Sequence, residues 1–286
     1  MNEMSIKNNC LLIGLPESGK STFIGAFWYA AESGEIGDAY YVKELPEDRA
    51  YLNLLKDNWL RCKIAPRTQL DQQHKISLKL YNKNTECLEL NFPDVSGELY
   101  ETHFEERKIS MDFLEQLRST DCVLLFINPS KLESACSIKD LLRLYGIIEE
   151  EDNNEESLDP FTLKKIPTQV ILVDLLQVIE TFGRTPTKIS IIISAWDTIL
   201  DAVSEEVSNT TPSKWIEKEL PFLYQYLQAN IEKFEFFGVS AQGGKYDDNN
   251  EKLFAHLKQT DRIRVQTQED ISHDISLPIK WLINND

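Results

Sequence analysis

The sequence predicts an α/β fold, a mostly parallel β-sheet flanked by helices, with one antiparallel strand and helical insertions. Three observations predict it. Residues 121–127 and 188–193 are unbroken apolar or β-branched runs, the composition of central strands covered on both faces. Helical apolar spacing fills the stretches around 111–118, 168–182 and 212–231, and strands alternating with helices build a parallel sheet. Residues 75–81 and 87–92 instead alternate apolar and polar side chains across a short polar link, the pattern of an antiparallel hairpin.

Taken in order, residues 9–14 form a short apolar strand ending in glycine, and residues 21–30 show helical spacing. Residues 46–62 carry helical spacing ahead of the hairpin and read as an insertion. A second insertion, 131–160, adds a helix and the acidic run 149–156, read as a solvated loop. Residues 234–239 give a further strand, and 262–286 a last strand and a terminal helix. The whole chain, 1–286, reads as one domain, with 42% hydrophobic residues for its core and too many of them for wholesale disorder.

Thirty basic against 47 acidic residues give a net charge of −17, which repels nucleic-acid phosphates and anionic lipid in the absence of a segregated basic patch. Direct nucleic-acid binding is therefore not expected. The five cysteines, Cys10, Cys62, Cys87, Cys122 and Cys136, are scattered, mostly in apolar runs, and read as buried free thiols. Neither paired cysteines nor a histidine cluster suggests zinc. The N-terminus lacks the parts of a signal peptide, and no apolar run approaches the roughly 20 residues that span a bilayer. A cytoplasmic protein without membrane contact is the expectation.

The segment from Gly14 to Ser21, Gly-Leu-Pro-Glu-Ser-Gly-Lys-Ser, fits the phosphate-loop pattern in its required place between a strand and a helix. Glycines let the backbone curl so that successive N–H groups face a phosphate, and the helix N-terminus adds its dipole. Gly14, Glu17, Ser18, Gly19, Lys20, Ser21 and Thr22 are the expected nucleotide-binding residues. Lys20 would bridge the β and γ phosphates, and the Ser21 hydroxyl would ligate Mg²⁺.

Asp94, at the end of the hairpin's second strand, can hold the metal's water shell, and Gly97 can offer its N–H to the γ-phosphate. This Asp-x-x-Gly pattern, one hairpin after the phosphate loop, is that of a GTPase switch segment. The antiparallel strand ahead of it separates this arrangement from most P-loop ATPases. Thr68 stands where such GTPases carry a Mg²⁺-coordinating switch threonine; an ordinary loop threonine is the alternative. Glu98 occupies the position that often holds a water-orienting glutamine. A carboxylate beside the γ-phosphate predicts slow intrinsic hydrolysis, with Arg67 the nearest arginine. Lys20, Thr68 and Glu98 are the expected catalytic residues, and Ser21, Thr68 and Asp94 the metal ligands.

Residues 194–197, Ser-Ala-Trp-Asp, end a strand where these GTPases carry Asn-Lys-x-Asp. Asp197 would accept hydrogen bonds from the guanine ring N–H and amino group, a contact worth roughly 1–3 kcal/mol. Ser194 and Ala195 depart from the pattern. Trp196 is either a replacement stacking surface or a core side chain. Ser240, Ala241 and Gln242 resemble the Ser-Ala-Lys loop that supports the base, with the third position changed.

On these residues the chain resembles translation-factor-class (TRAFAC) P-loop GTPases with a Ras-like sheet, and within that class the bacterial double-GTPase group; the Pro-Ile-Lys-Trp ending at Pro278 to Trp281 adds to the likeness. The resemblance implies Mg²⁺ and GTP or GDP as ligands, a second related GTPase and an effector as protein partners, and a role in bacterial conflict such as phage defence. Two other readings stay open: an ATPase or relaxed-specificity nucleotide hydrolase, from the loss of Asn and Lys before Asp197, and a nucleotide-bound assembly scaffold, from Glu98 and the insertions.

Overall fold

The computed structural model describes residues 6–36, 40–42, 46, 49–64, 74–81, 87–94, 97–134, 166–183, 188–202, 210–244 and 257–283. Within these, only the backbone is described for 6–8, 74–75, 87–89, 91–94, 97–99 and 101–102. Thr68 and Arg67, the hairpin link, nearly all of the second insertion with its acidic run, and Cys136 lie outside the described residues.

The first strand, β1 (Ile6–Ile13), leads through a loop into α1 (Lys20–Ser33), which stops at Gly34 in the left-handed region, its N–H returned to the Ala30 carbonyl. A two-residue strand β2 (Tyr41–Val42) and helix α2 (Arg49–Leu60) follow. The hairpin forms as the alternation predicts: β3 (His74–Tyr81) and β4 (Cys87–Asp94) pair antiparallel from His74 opposite Asp94 to Tyr81 opposite Cys87. Helix α3 (Gly97–Glu106) begins directly in the switch pattern, and α4 (Met111–Ser119) is capped by the Ser110 hydroxyl accepting from the Phe113 N–H. Strand β5 (Cys122–Ile127), helix α5 (Thr168–Phe182) and strand β6 (Lys188–Ser194) come next, both strands buried throughout.

Beyond β6 lie α6 (Asp197–Ala202), α7 (Pro212–Glu219), α8 (Pro221–Asn230) and β7 (Phe234–Ser240). The sequence reading of one helix over 212–231 is corrected here. Pro221 has no N–H to donate into a continuing helix, so the chain breaks at Leu220 and restarts with proline in its first turn. The chain ends in β8 (Arg264–Gln266), β9 (Ile271–Ser272) and α9 (Leu277–Ile283).

Strand order in the sheet is β2-β3-β4-β1-β5-β6-β7-β8-β9. The pairs β4-β1, β1-β5, β5-β6 and β6-β7 are parallel, so the middle of the sheet is as expected. The expectation of one antiparallel strand needs enlarging: β3 is antiparallel to β4, and β8 runs antiparallel to β7 at the opposite side. Side chains alternate across the central strands. Cys10 and Leu12 of β1 with Cys122, Leu124 and Phe126 of β5 face a core formed with α1, α2 and α9. Leu11 and Ile13 with Val123, Leu125 and Ile127 face a second core formed with α3, α4, α5, α7 and α8. The helix read as an insertion at 46–62 therefore covers the sheet, burying Leu52, Leu55 and Trp59.

Cys10, Cys62 and Cys122 are free and buried. Cys10 and Cys122 are register partners, and a hydrogen bond between their thiols together with burial pushes the Cys10 thiol well up. Among the described residues no helix is long and apolar enough to cross a membrane.

Candidate nucleotide-binding site

The loop after β1 is built by backbone geometry that few sequences allow. Gly14 and Gly19 have φ of 153° and 95°, and Glu17 has φ of 59°, the left-handed region where a non-glycine residue is uncommon. Space is tight as well as angle. A Cβ on Gly14 would lie 2.6 Å from Ser18 Oγ and 2.7 Å from the Phe126 carbonyl oxygen, and one on Gly19 would lie 2.7 Å from Ser194 Cβ. The loop is thus pressed onto the carboxyl ends of β5 and β6, where ligands bind in open α/β sheets.

Lys20 opens α1 and is buried, with Nζ donating to the Gly14 carbonyl at 2.7 Å, to the Leu15 carbonyl at 3.2 Å and to Ser18 Oγ at 3.3 Å. The ammonium thus sits over the bowl of the loop. The first turn of α1 holds no acidic side chain, so the helix dipole and Lys20 act on an anion together. These features fit a nucleotide's phosphates: a helix start at the mouth of the loop, a cation beside it, and no room for side chains at the two glycines. Ser21 and Thr22 are half-buried in the same first turn.

Two residues the sequence reading did not single out grip the outside of the loop. Asn128, just past β5, donates through Nδ2 to the Glu17 carbonyl at 2.8 Å while its Oδ1 accepts from the Ser130 N–H. Lys131 Nζ pairs with the Glu17 carboxylate at 2.5 Å. A polar residue closing an apolar strand at the ligand end of the sheet was the available signal for Asn128; Lys131 had none.

Asp94 and the start of α3 reach the same rim. The β1–β4 register matches Ile6 with Leu88 and Asn9 with Asn91, so its continuation puts Asp94 level with Leu12, two residues before the loop. Gly97 and Glu98 occupy the first two positions of α3. That helix is anchored where it matters, because the buried Tyr100 hydroxyl donates to the Leu12 carbonyl at 3.0 Å.

On the base side, Ser194 closes β6 with its hydroxyl donating to the Ile127 carbonyl at 3.3 Å. Ala195 turns the chain with φ of 47°, and Asp197 begins α6, its N–H donating to Ser240 Oγ at 2.6 Å. Asp197, Ser240, Ala241 and Gln242 are all buried, so the two strand ends form one packed unit. Trp196 is the residue that departs from the expected set. Its ring is fully buried, donates through Nε1 to Gln266 Oε1 at 2.7 Å, meets Trp215 edge-on at 6.3 Å between centroids and lies against Gly238. Of the two roles open to it, the indole takes the core one and offers no face for stacking.

A strand order of β3-β4-β1-β5-β6-β7 with β3 reversed, and a phosphate loop opening the helix after β1, define the class: a P-loop domain of the GTPase type. The profile of one family, Double-GTPase 1, matches residues 11–282, and the chain belongs to that family. Among curated proteins none matches. Three solved structures show a distant likeness. One is Roco2 RocCORdC of Methanosarcina barkeri bound to GDP, 12% identical over 87% of this chain and 48% of that chain, with a TM-score of 0.33. The Arl6 BBS3 small GTPase of Trypanosoma brucei, with bound nucleotide analogue GppNp, is 13% identical over 87% of this chain and 94% of its own, at 0.34. A bacterial selenocysteine-specific elongation factor, EF-Sec, is 14% identical over 87% and 28%, at 0.37. The chain spans about half the length of the Roco2 chain and 28% of the elongation-factor chain.

Proposed function

We propose that this protein is a Mg²⁺-dependent, GTP-binding switch with slow intrinsic hydrolysis. The observation that carries the reading is the contact between the two halves of the site. Gly19 of the phosphate loop abuts Ser194, and three residues on, Asp197 is tied to Ser240 of the base-side loop. One ligand with a diphosphate at one end and a purine at the other spans that distance.

In this reading the backbone N–H groups of the loop and Lys20 bind the phosphates, Asp197 reads the guanine edge, and Ser240 to Gln242 support it. Ser21, Asp94 and Thr68 would hold Mg²⁺, which when bound neutralises charge on the phosphate oxygens. Glu98, in place of glutamine, orients the attacking water poorly beside an anion, so turnover is slow until a partner completes the site. Family membership supports a second related GTPase as that partner, with an effector beyond it. A cytoplasmic role in bacterial conflict belongs to the same proposal.

A second reading, an ATPase or relaxed-specificity hydrolase, has one observation in its favour. Ser194 spends its hydroxyl on the Ile127 carbonyl and Trp196 is buried in the core, so neither replaces the amide and lysine stem missing beside Asp197. Titration of the wild type with fluorescently labelled GDP and ADP, with and without Mg²⁺, separates the two. GDP preference supports the switch, and equal or tighter ADP binding moves the assignment to the second reading. Lys20→Ala is expected to weaken either nucleotide by roughly ten- to 150-fold, since it removes a charge-assisted contact to the phosphates. Unchanged affinity in that variant would remove the loop from the site.

A further inference from the structure

The C-terminal end of α2 is locked to the base-side loop by a buried network that the phosphate site does not use. Trp59, 1% exposed, donates its indole Nε1–H to the Ala241 carbonyl at 2.8 Å. Its own carbonyl accepts from Gln242 Nε2 at 3.4 Å and from Arg262 Nη2 at 2.6 Å. The Arg262 guanidinium, 2% exposed, lies over the Trp59 ring at 3.8 Å from the centroid and donates through Nη1 to Cys62 Sγ. Gly243, at φ of 83°, brings the loop's backbone so near the Arg262 carbonyl that a Cβ there has no room. Three segments far apart in sequence close on one turn of chain.

We propose that Trp59 and Arg262 are positioning residues for the base-supporting loop, setting its selectivity for guanine. The inference rests on the GTP-binding reading above. Its physical basis is the planarity of the peptide group. In a trans peptide the carbonyl of one residue and the N–H of the next point in opposite directions, so fixing the Ala241 carbonyl on Trp59 directs the Gln242 N–H away from α2. A loop that reads a base through backbone N–H groups needs this kind of fixed plane, because reorganisation on binding subtracts from affinity. The network also accounts for the changed third position of the Ser-Ala-x loop. Gln242 commits its side-chain amide to the Trp59 carbonyl, a contact that a lysine ammonium, longer and strongly hydrated, does not reproduce at a buried site. Arg262 holds the underside of the same unit by a cation–π contact and a charge-assisted hydrogen bond.

The test compares GDP and ADP affinities of the wild type, Trp59→Phe, Gln242→Met and Trp28→Phe, with thermal unfolding followed by circular dichroism. Trp59→Phe keeps a ring under Arg262 and removes only the N–H. GDP affinity is expected to fall roughly three- to tenfold, the net effect of one lost hydrogen bond, with ADP affinity unchanged, so that the ratio narrows. Gln242→Met reads the same coupling from the loop side and serves where Trp59→Phe does not fold. Trp28→Phe loses a comparable indole hydrogen bond, to Asn53 Oδ1 between α1 and α2, and is expected to keep the wild-type ratio. A wild-type ratio retained in both Trp59→Phe and Gln242→Met overturns the proposal, as does a ratio that narrows equally in Trp28→Phe. A wild type without GDP preference removes the base reading itself, and that outcome is visible before any variant is made.

Discussion

Asp197 owes its place to two strand ends at once: β6 delivers it, and Ser240 at the end of β7 accepts its N–H. Its backbone is therefore held in place at the junction of the two strand ends, which lowers the reorganisation that a discriminating contact would cost. Asp197→Ala is expected to lower GDP affinity by roughly five- to 150-fold, the range of one bidentate contact, and to leave ADP affinity unchanged. The measurement is the same labelled-nucleotide titration, and equal loss of both nucleotides would show a structural role only. The residues of the proposed nucleotide site were the most legible in sequence, because the loop, Asp94, Asp197 and Ser240 each sit at a strand end with a fixed local spacing. Trp59 and Arg262 were illegible for the converse reason. Trp59 lies 182 residues from Ala241 in the chain and Arg262 lies 203 from Trp59, and no short pattern encodes a contact across that separation.

Among the elements, α3 connects the site to the second core and contains a group sensitive to pH. His103 is partly buried with its ring 4.8 Å from Phe113, and its Nδ1 has no hydrogen-bond partner among the described residues. Burial holds its imidazole below the ordinary 6.5, because the charged form loses water and gains nothing in return. The folded state therefore binds fewer protons than the unfolded state in the window below 6.5. Its stability contribution is complete above that pH and is lost as pH falls through the folded value. The urea midpoint of the wild type is expected to drop between pH 7.5 and 5.5 by more than that of His103→Leu; parallel pH dependence would take His103 out of the account. Element types followed from periodicity wherever a segment was long, as in α1, α5, β5 and β6. Three features escaped for identifiable reasons. Helix α3 starts inside the Asp-x-x-Gly pattern, where function drew the reading away from helical spacing. Pro221 breaks one apparent helix into α7 and α8. Strand β9, of two residues, is too short to show a period, yet it extends the sheet beyond β8, which falls within the last strand read at the start of 262–286.

At the scale of the molecule, the central strands belong to both cores, since alternate residues of β1 and β5 face opposite layers of helices. Neither layer can leave without exposing strands on which the other rests; at about 1.5–3 kcal/mol for each large apolar side chain, a half-unfolded sheet is strongly disfavoured. Unfolding in urea is thus expected to be a single transition for the described fold, with far-UV circular dichroism and tryptophan fluorescence giving one midpoint. The tryptophans sample both layers, Trp28 and Trp59 on one side and Trp196 on the other, so a layer that melted first would separate the two probes. GDP adds the functional half of the argument. Its proposed contacts lie on the carboxyl ends of the shared strands, so its binding free energy stabilises the folded state as a whole. At a hundred times its dissociation constant it is expected to add about 2.7 kcal/mol and to move both probes together. A shift of one probe alone would mean that the phosphate loop and the base-side loop belong to units that unfold separately, and the single-ligand site that spans Gly19, Ser194 and Asp197 would have to be abandoned.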